Sequence, residues 1–242
     1  MSSGRVAIVT GGSTGIGRSI VQHLLDAGWG VVSMSRRATD IAHPRLHSVE
    51  VDLGDVAATR DAAREACAAH PVTAIVHNAG AMRPALLPDV KVEDLEALTA
   101  LHLSAPLLLV QAALPEMRRR KFGRIVLVSS RAALGLATRT AYSATKSGMF
   151  GLARTWALEL GADGITANVV APGPIVTDML HEVIPREQAA LDSTAAKIPV
   201  RRVGVPDDVA RAVMFFVSPD NGFVTGQSLY VCGGTSVGSI TY

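Results

Sequence analysis

The stretch Val6-Ala7-Ile8-Val9-Thr10-Gly11-Gly12-Ser13-Thr14-Gly15-Ile16-Gly17 decides the fold. Its first residues form a short apolar, β-branched run, the pattern of a strand covered on both faces. Three glycines follow, each at a place where a side chain would interfere. Gly11 permits the tight turn after the strand, Gly15 lets the backbone approach a pyrophosphate, and Gly17 allows the next helix to pack closely on the strand. The N–H groups opening that helix then face the phosphates, and Ser13, Thr14 and Ile16 complete the phosphate-facing loop. The spacing is G-x-x-x-G-x-G rather than G-x-G-x-x-G. Its position between a first strand and a first helix makes it a dinucleotide-binding loop rather than an ordinary turn.

Outward from this loop, β-rich runs alternate with helical stretches along the whole chain. Strands are expected near Val6–Thr10, Gly30–Ser35, His47–Val51, Ala74–His77, Ile125–Ser129, Thr166–Ala171 and Ser228–Val231. Helices are expected over Gly17–Ala27, Asp55–Ala69, Val92–Arg119, Tyr142–Gly161 and Pro206–Val217. This alternation predicts an α/β fold: a doubly wound, Rossmann-type parallel sheet of about seven strands with helices on both faces. No linker or repeat divides the chain, so residues 1–242 read as one domain. Between Thr177 and Gly204 an amphipathic stretch has no strand partner, and residues 178–204 are a candidate substrate lid.

Composition narrows the function classes. The 242 residues are 48% hydrophobic and 18% charged, which excludes a disordered chain and a disulfide scaffold. With 23 Lys+Arg against 21 Asp+Glu, the chain lacks the field of a nucleic-acid binder. Its basic run, Arg118 to Lys121, ends an apolar helical stretch and suits the negative end of a helix dipole. Cys67 and Cys232 match no metal or redox spacing, and read as buried free thiols in a reducing compartment. The start, Met-Ser-Ser-Gly-Arg, leads directly into a strand, and no apolar run approaches a bilayer span. A cytoplasmic protein with no membrane, metal or nucleic-acid partner is expected.

Two further places carry chemistry. After the second strand, where an NAD site places an acid for the ribose 2′-hydroxyl, this chain has Ser35 followed by Arg36 and Arg37. A guanidinium binds a 2′-phosphate through a fork of charge-assisted bonds, so NADP(H) is favoured over NAD(H), with Arg36 the main contact. Asp52, just after the third strand, is placed to accept from the adenine amino group, and Leu53 adjoins it. Farther on, Tyr142 and Lys146 lie four apart on one helix face. A neighbouring ammonium favours the phenolate, so such a tyrosine can serve an alcohol/carbonyl pair as general acid or base. Ser129-Ser130, ending the preceding strand, can hold the substrate oxygen beside it.

These segments together resemble the compact branch of the short-chain dehydrogenase/reductase family. The matching residues are Thr10–Gly17, His77–Gly80, Ser129-Ser130, Tyr142 to Lys146, Pro172–Thr177 and Val224–Gly234. The resemblance implies that Tyr142 is the proton donor/acceptor, that Lys146 binds the nicotinamide ribose and lowers the tyrosine pKa, and that Ser130 orients the substrate oxygen. Asn78, Ala79 and Gly80 would line the adenosine-ribose side. Pro172, Gly173, Ile175 and Thr177 would meet the nicotinamide end. The implied activity is hydride transfer between NADP(H) and a secondary alcohol or ketone, 3-oxoacyl thioesters among them, by a homo-oligomeric (tetrameric or dimeric) enzyme. The tail Thr235–Tyr242 would reach a neighbouring subunit.

Three departures from the family pattern stand out. His102 occupies the place of an asparagine that props open a helix kink; histidine either does the same or titrates near neutrality and joins the proton path. His77 replaces the first asparagine of Asn-Asn-Ala-Gly. The interval from Ser130 to Tyr142 is one residue shorter than usual, which leaves Ser129 an alternative. His102, Met82, Leu134, Leu136 and Met179 are expected to make a mainly apolar substrate pocket. The other readings are an NAD(H)-dependent alcohol dehydrogenase of the same family, a nucleotide-sugar epimerase or dehydratase, and a non-catalytic NAD(P)-binding sensor.

Overall fold

A computed structural model describes residues 4–237. All seven strands pair in parallel, in the order β3-β2-β1-β4-β5-β6-β7. They are β1 (Val6–Thr10), β2 (Gly30–Ser35), β3 (Leu46–Glu50), β4 (Val72–His77), β5 (Gly123–Val128), β6 (Ile165–Pro172) and β7 (Ser228–Val231). The helices are α1 (Gly15–Asp26), α2 (Val56–Ala69), α3 (Val92–Thr99), α4 (Ala105–Arg120), α5 (Thr140–Leu160), α6 (Asp178–His181), α7 (Gln188–Ala195) and α8 (Pro206–Val217). The strand order reverses between β1 and β4, and open α/β sheets bind ligands in the crevice at that point.

Two apolar layers cover the sheet. On one face α1 and α8 pack Ile20, Leu24, Val213 and Phe216 against Ala7, Val9 and Val126. On the other, α2, α4 and α5 bring Ala63, Leu109, Met149 and Trp156 against Ile8, Ile75 and Ile125. Strands β4, β5 and β6 are buried along their whole length, which accounts for their continuous apolar sequences.

Local chemistry explains several element ends. Asp55, expected as the first residue of the second helix, instead caps it by accepting from Ala57 N and Ala58 N at 2.9 and 3.0 Å. Asp208 reaches back to the Val205 N–H at the start of α8. The helix expected over Val92–Arg119 is interrupted by a π turn at Ala100–Ser104, where the resemblance places a kink. Within the combined stretch Val92–Arg120 an 18-residue window has a mean hydropathy of 1.7, enough by length and composition to cross a membrane. The stretch is nonetheless an inner-layer element packed on α2, β4 and β5, with Leu98, Leu109, Ala113 and Met117 buried.

The thiols also differ from expectation. Cys232 is buried, whereas Cys67 is only half-buried, and burial still pushes its thiol up to about 11. Residues 1–3 and, from the tail, residues 238–242 lie outside the described residues.

Candidate active site

A cleft of about 770 Å³ runs along the carboxyl ends of the strands, centred on the β1/β4 reversal. At one end Gly11, Ser13, Thr14, Gly15 and Ile16 line its floor. Gly11 and Gly15 have φ of +67° and +53°, where a side chain would be strained. Gly17 lies behind the cleft rather than in it. A Cβ there would stand 2.0 Å from the Gly11 carbonyl oxygen, so its absence lets α1 close against the loop. Asn78 ties this loop to β4: its Nδ2 donates to the carbonyls of Thr10 and Gly11 at 3.2 and 3.3 Å. Thr10 Oγ1 in turn accepts the N–H groups of Asn78 and Ala79, both at 3.0 Å.

Along the same wall stand Ser35, Arg36, Arg37, Asp52 and Leu53. Among the described residues neither Arg36 nor Arg37 has a carboxylate within ion-pair distance, whereas Arg18 is held by Asp40 at 2.7 Å. Ser35 Oγ is buried without a hydrogen-bond partner. The glycine floor, two free guanidinium groups and an orphaned hydroxyl fit a phosphorylated dinucleotide. Ala79, Gly80, Pro172, Gly173, Ile175 and Thr177 line the middle of the cleft.

At the far end, β5 and α5 bring Ser130, Tyr142 and Lys146 together on the cleft wall. The two serines have different surroundings. Ser129 Oγ turns inward and donates to the Lys146 carbonyl at 2.8 Å. Ser130 faces the cleft and caps a short 3-10 turn, Arg131–Leu134, by accepting from Ala132 N at 3.1 Å. Lys146 is fully buried, donates from Nζ to the Val128 carbonyl at 2.8 Å, and is pushed down to about 7 by burial.

Burial raises the Tyr142 phenol above its ordinary value, and the groups opposing that rise are the Ser130 hydroxyl and the Arg139 charge. The Lys146 ammonium stands 5.8 Å from the Tyr142 ring centre. Sequence reading missed Arg139, since no feature of its neighbours in the chain marks it as buried beside Tyr142.

His102 does not line the cleft. It is buried in the π turn, its Nδ1 lies 2.8 Å from Thr145 Oγ1, and its Nε2 accepts from Ala81 N at 3.3 Å. Burial and the Lys146 charge hold its pKa far below the ordinary value, which overturns the option of titration near neutrality. His77 is likewise buried, with Nδ1 on Thr10 Oγ1 at 3.0 Å, and is pushed down to about 3 by burial and then by Lys146. Of the expected substrate pocket, Met82, Leu136 and Met179 line the cleft, joined by Leu180, Val183 and Ile184 from the segment after Thr177. Leu134 points outward and is 58% exposed.

The chain is similar to several known proteins along nearly its whole length. A family model described as enoyl-(acyl carrier protein) reductase matches residues 11–236. The chain is 37% identical to (2S)-[(R)-hydroxy(phenyl)methyl]succinyl-CoA dehydrogenase subunit BbsD of Thauera aromatica, over 96% of this chain and 97% of that one. It is also 37% identical to the 3-oxoacyl-[acyl-carrier-protein] reductase MabA of Mycobacterium tuberculosis, over 97% of this chain and 94% of that one. A solved structure of a short chain dehydrogenase/reductase family protein superposes with a TM-score of 0.87 at 36% identity, covering 97% and 98% of the two chains. With the cleft, the parallel sheet and these relatives in agreement, the chain belongs to the short-chain dehydrogenase/reductase family and is an NAD(P)-dependent oxidoreductase acting on CH–OH/C=O groups.

Proposed function

We propose that this enzyme interconverts a secondary alcohol and a ketone using NADP(H), with Tyr142 as general acid and base. The observation that carries the reading is the convergence of Tyr142, Ser130 and Lys146 at one end of a cleft whose other end is a glycine-floored phosphate loop. When bound, the nicotinamide supplies or accepts the hydride at the carbinol carbon. Everything else falls to the protein. Gly11 to Ile16 hold the pyrophosphate, Asn78 to Gly80 the ribose side, and Pro172, Gly173, Ile175 and Thr177 the nicotinamide end. Arg36 and Arg37 hold the 2′-phosphate, since two exposed guanidinium groups without acidic partners match that charge.

In the reducing direction the Tyr142 hydroxyl gives its proton to the carbonyl oxygen, and in the oxidising direction it takes the proton back. Ser130 donates to the same oxygen, holding it in line with the phenol. The phenolate left behind is favoured by Ser130 and Arg139, which oppose part of the effect of its burial. Lys146 anchors the ribose beside the reacting centre. The segment 178–204 closes the apolar side through Met179, Leu180, Val183 and Ile184. Both relatives are named for acyl thioesters, which supports a 3-oxoacyl or 3-hydroxyacyl thioester as the substrate. Exposed Leu107 on α4 and Leu158 on α5 support pairing of these helices with a second copy. The unbridged thiols support a cytoplasmic setting.

Replacing Tyr142 by Phe tests the reading. NADPH binding, followed by its fluorescence, is retained, while turnover falls by about 10²–10⁴ as expected for a lost acid/base. A fully active variant overturns the assignment.

A further inference from the structure

Arg139 is a cation in a place that disfavours one. It is only 7% exposed, lines the cleft beside Leu136 and Tyr142, and occupies the cap position at the start of α5. The positive end of a 21-residue helix therefore adds to the guanidinium's own charge. A buried charge is costly unless paired and hydrogen-bonded. Yet among the described residues no carboxylate comes within ion-pair distance of Arg139. Its Nη1 donates to the carbonyl and hydroxyl of the neighbouring Thr138, and its Nε is buried with no partner at all. The other arginines of that end are engaged: Arg83 with Asp94 at 2.9 Å, and Arg131 with the Thr235 carbonyl at 3.2 Å. The cleft carboxylates lie elsewhere, Asp52 at the adenine end and Asp178 paired with Arg186.

A planar fork with an unused donor, facing a cleft and lacking a counter-charge, is suited to a bidentate carboxylate. We propose that Arg139 binds a free carboxylate carried by the substrate a few bonds from its carbonyl, so that the enzyme selects keto and hydroxy acids, and thioesters bearing a second, free carboxylate, over neutral ketones and thioesters. This rests on the oxidoreductase reading above. Arg139 then serves twice, since the same charge that seats the substrate also favours the Tyr142 phenolate.

Matched probes test it: acetoacetate and levulinate against their methyl esters, each reduced with NADPH. A charge-assisted bond predicts that kcat/KM for the acids exceeds that for the esters by about 10- to 100-fold. Arg139→Gln removes that ratio, and Arg139→Lys, which keeps the charge without the fork, retains part of it. Equal rates on acid and ester in the parent enzyme overturn the proposal, as does an equal loss on both in Arg139→Gln. Because the charge also acts on Tyr142, the ratio between probes is the readout, not the absolute rate. Calorimetric binding of glutarate against glutaramide reads the site without turnover. Glutarate binding that is lost in Arg139→Gln supports the carboxylate site even if no probe is reduced, an outcome that counts against the oxidoreductase reading alone. Glutarate bound alike by parent and variant, or by neither, overturns it.

Discussion

His102 Nδ1 lies 2.8 Å from Thr145 Oγ1, and that pairing determines which nitrogen carries the proton. The Thr145 hydroxyl donates to the Ala141 carbonyl at 2.9 Å, so it accepts from His102. Nδ1 therefore bears the hydrogen, and the bare Nε2 accepts the Ala81 N–H at 3.3 Å. A second proton would set Nε2–H against that backbone N–H. The histidine is a neutral strut joining the π turn, the strand end after β4 and helix α5.

Acid stability follows from this pair of buried rings. Both His102 and His77 have folded pKa values below their unfolded value of 6.5, His77 at about 3. Below pH 6.5 the unfolded chain binds more protons, so stability is full above that pH and is lost as pH falls. For His77 the loss continues down to about pH 3. Two such groups give a slope of roughly 2.7 kcal/mol per pH unit. Urea midpoints measured from about pH 7.5 to about pH 5 should therefore fall steeply below the histidine range. His102→Asn should halve the slope; a flat profile refutes the neutral-pair account.

The adjacent serines should separate chemistry from stability. Ser129→Ala removes the 2.8 Å bond to the Lys146 carbonyl and costs about 0.5–1.5 kcal/mol, seen as a lower Tm with kcat nearly kept. Ser130→Ala removes a donor to the reacting oxygen and lowers kcat by about 10²-fold, with Tm little changed. The reverse pattern would make Ser129 the orienting residue.

How much of this was legible depends on whether a feature is local. The loop Thr10–Gly17 and the alternation of strands and helices were readable because glycine positions and apolar runs act over a few residues. The split between Ser129 and Ser130 was left open, because one step along a strand end reverses which side chain faces the cleft. Arg139 was invisible for a different reason. Nothing in Thr138-Arg139-Thr140 distinguishes a solvated arginine from one 7% exposed, since that depends on Leu136, Tyr142 and the loop near Ala85 folding over it. The neutral state of His102 is equally tertiary, set by Lys146 and by burial between α3, α4 and α5.

Cofactor choice should move with one residue. Arg36 is exposed on the cleft wall with no acidic partner among the described residues, so its charge is available to a 2′-phosphate. Arg36→Ala should raise KM for NADPH by about 10- to 100-fold while leaving KM for NADH nearly unchanged. Arg37→Ala should have a smaller effect in the same direction. Steady-state kinetics with both cofactors checks this, and a parent enzyme that prefers NADH contradicts it.

Lys146 should show catalysis opposing stability. Its ammonium is fully buried with one described acceptor, the Val128 carbonyl at 2.8 Å, and burial holds its pKa at about 7 against 10.5 unfolded. Between those values the unfolded chain keeps a proton that the folded chain has lost, so stability rises with pH across the window. Lys146→Met removes the buried charge at similar length. Turnover should disappear, since the ribose anchor is gone, yet below pH 7 the variant should be more stable by about 1–4 kcal/mol. The advantage should shrink toward pH 10, where the folded parent is already neutral. Thermal melts at the two ends of the range decide the matter. A variant less stable than the parent at low pH would mean that the bond to Val128 outweighs the desolvation of the ammonium, and that Lys146 is held by the fold rather than against it.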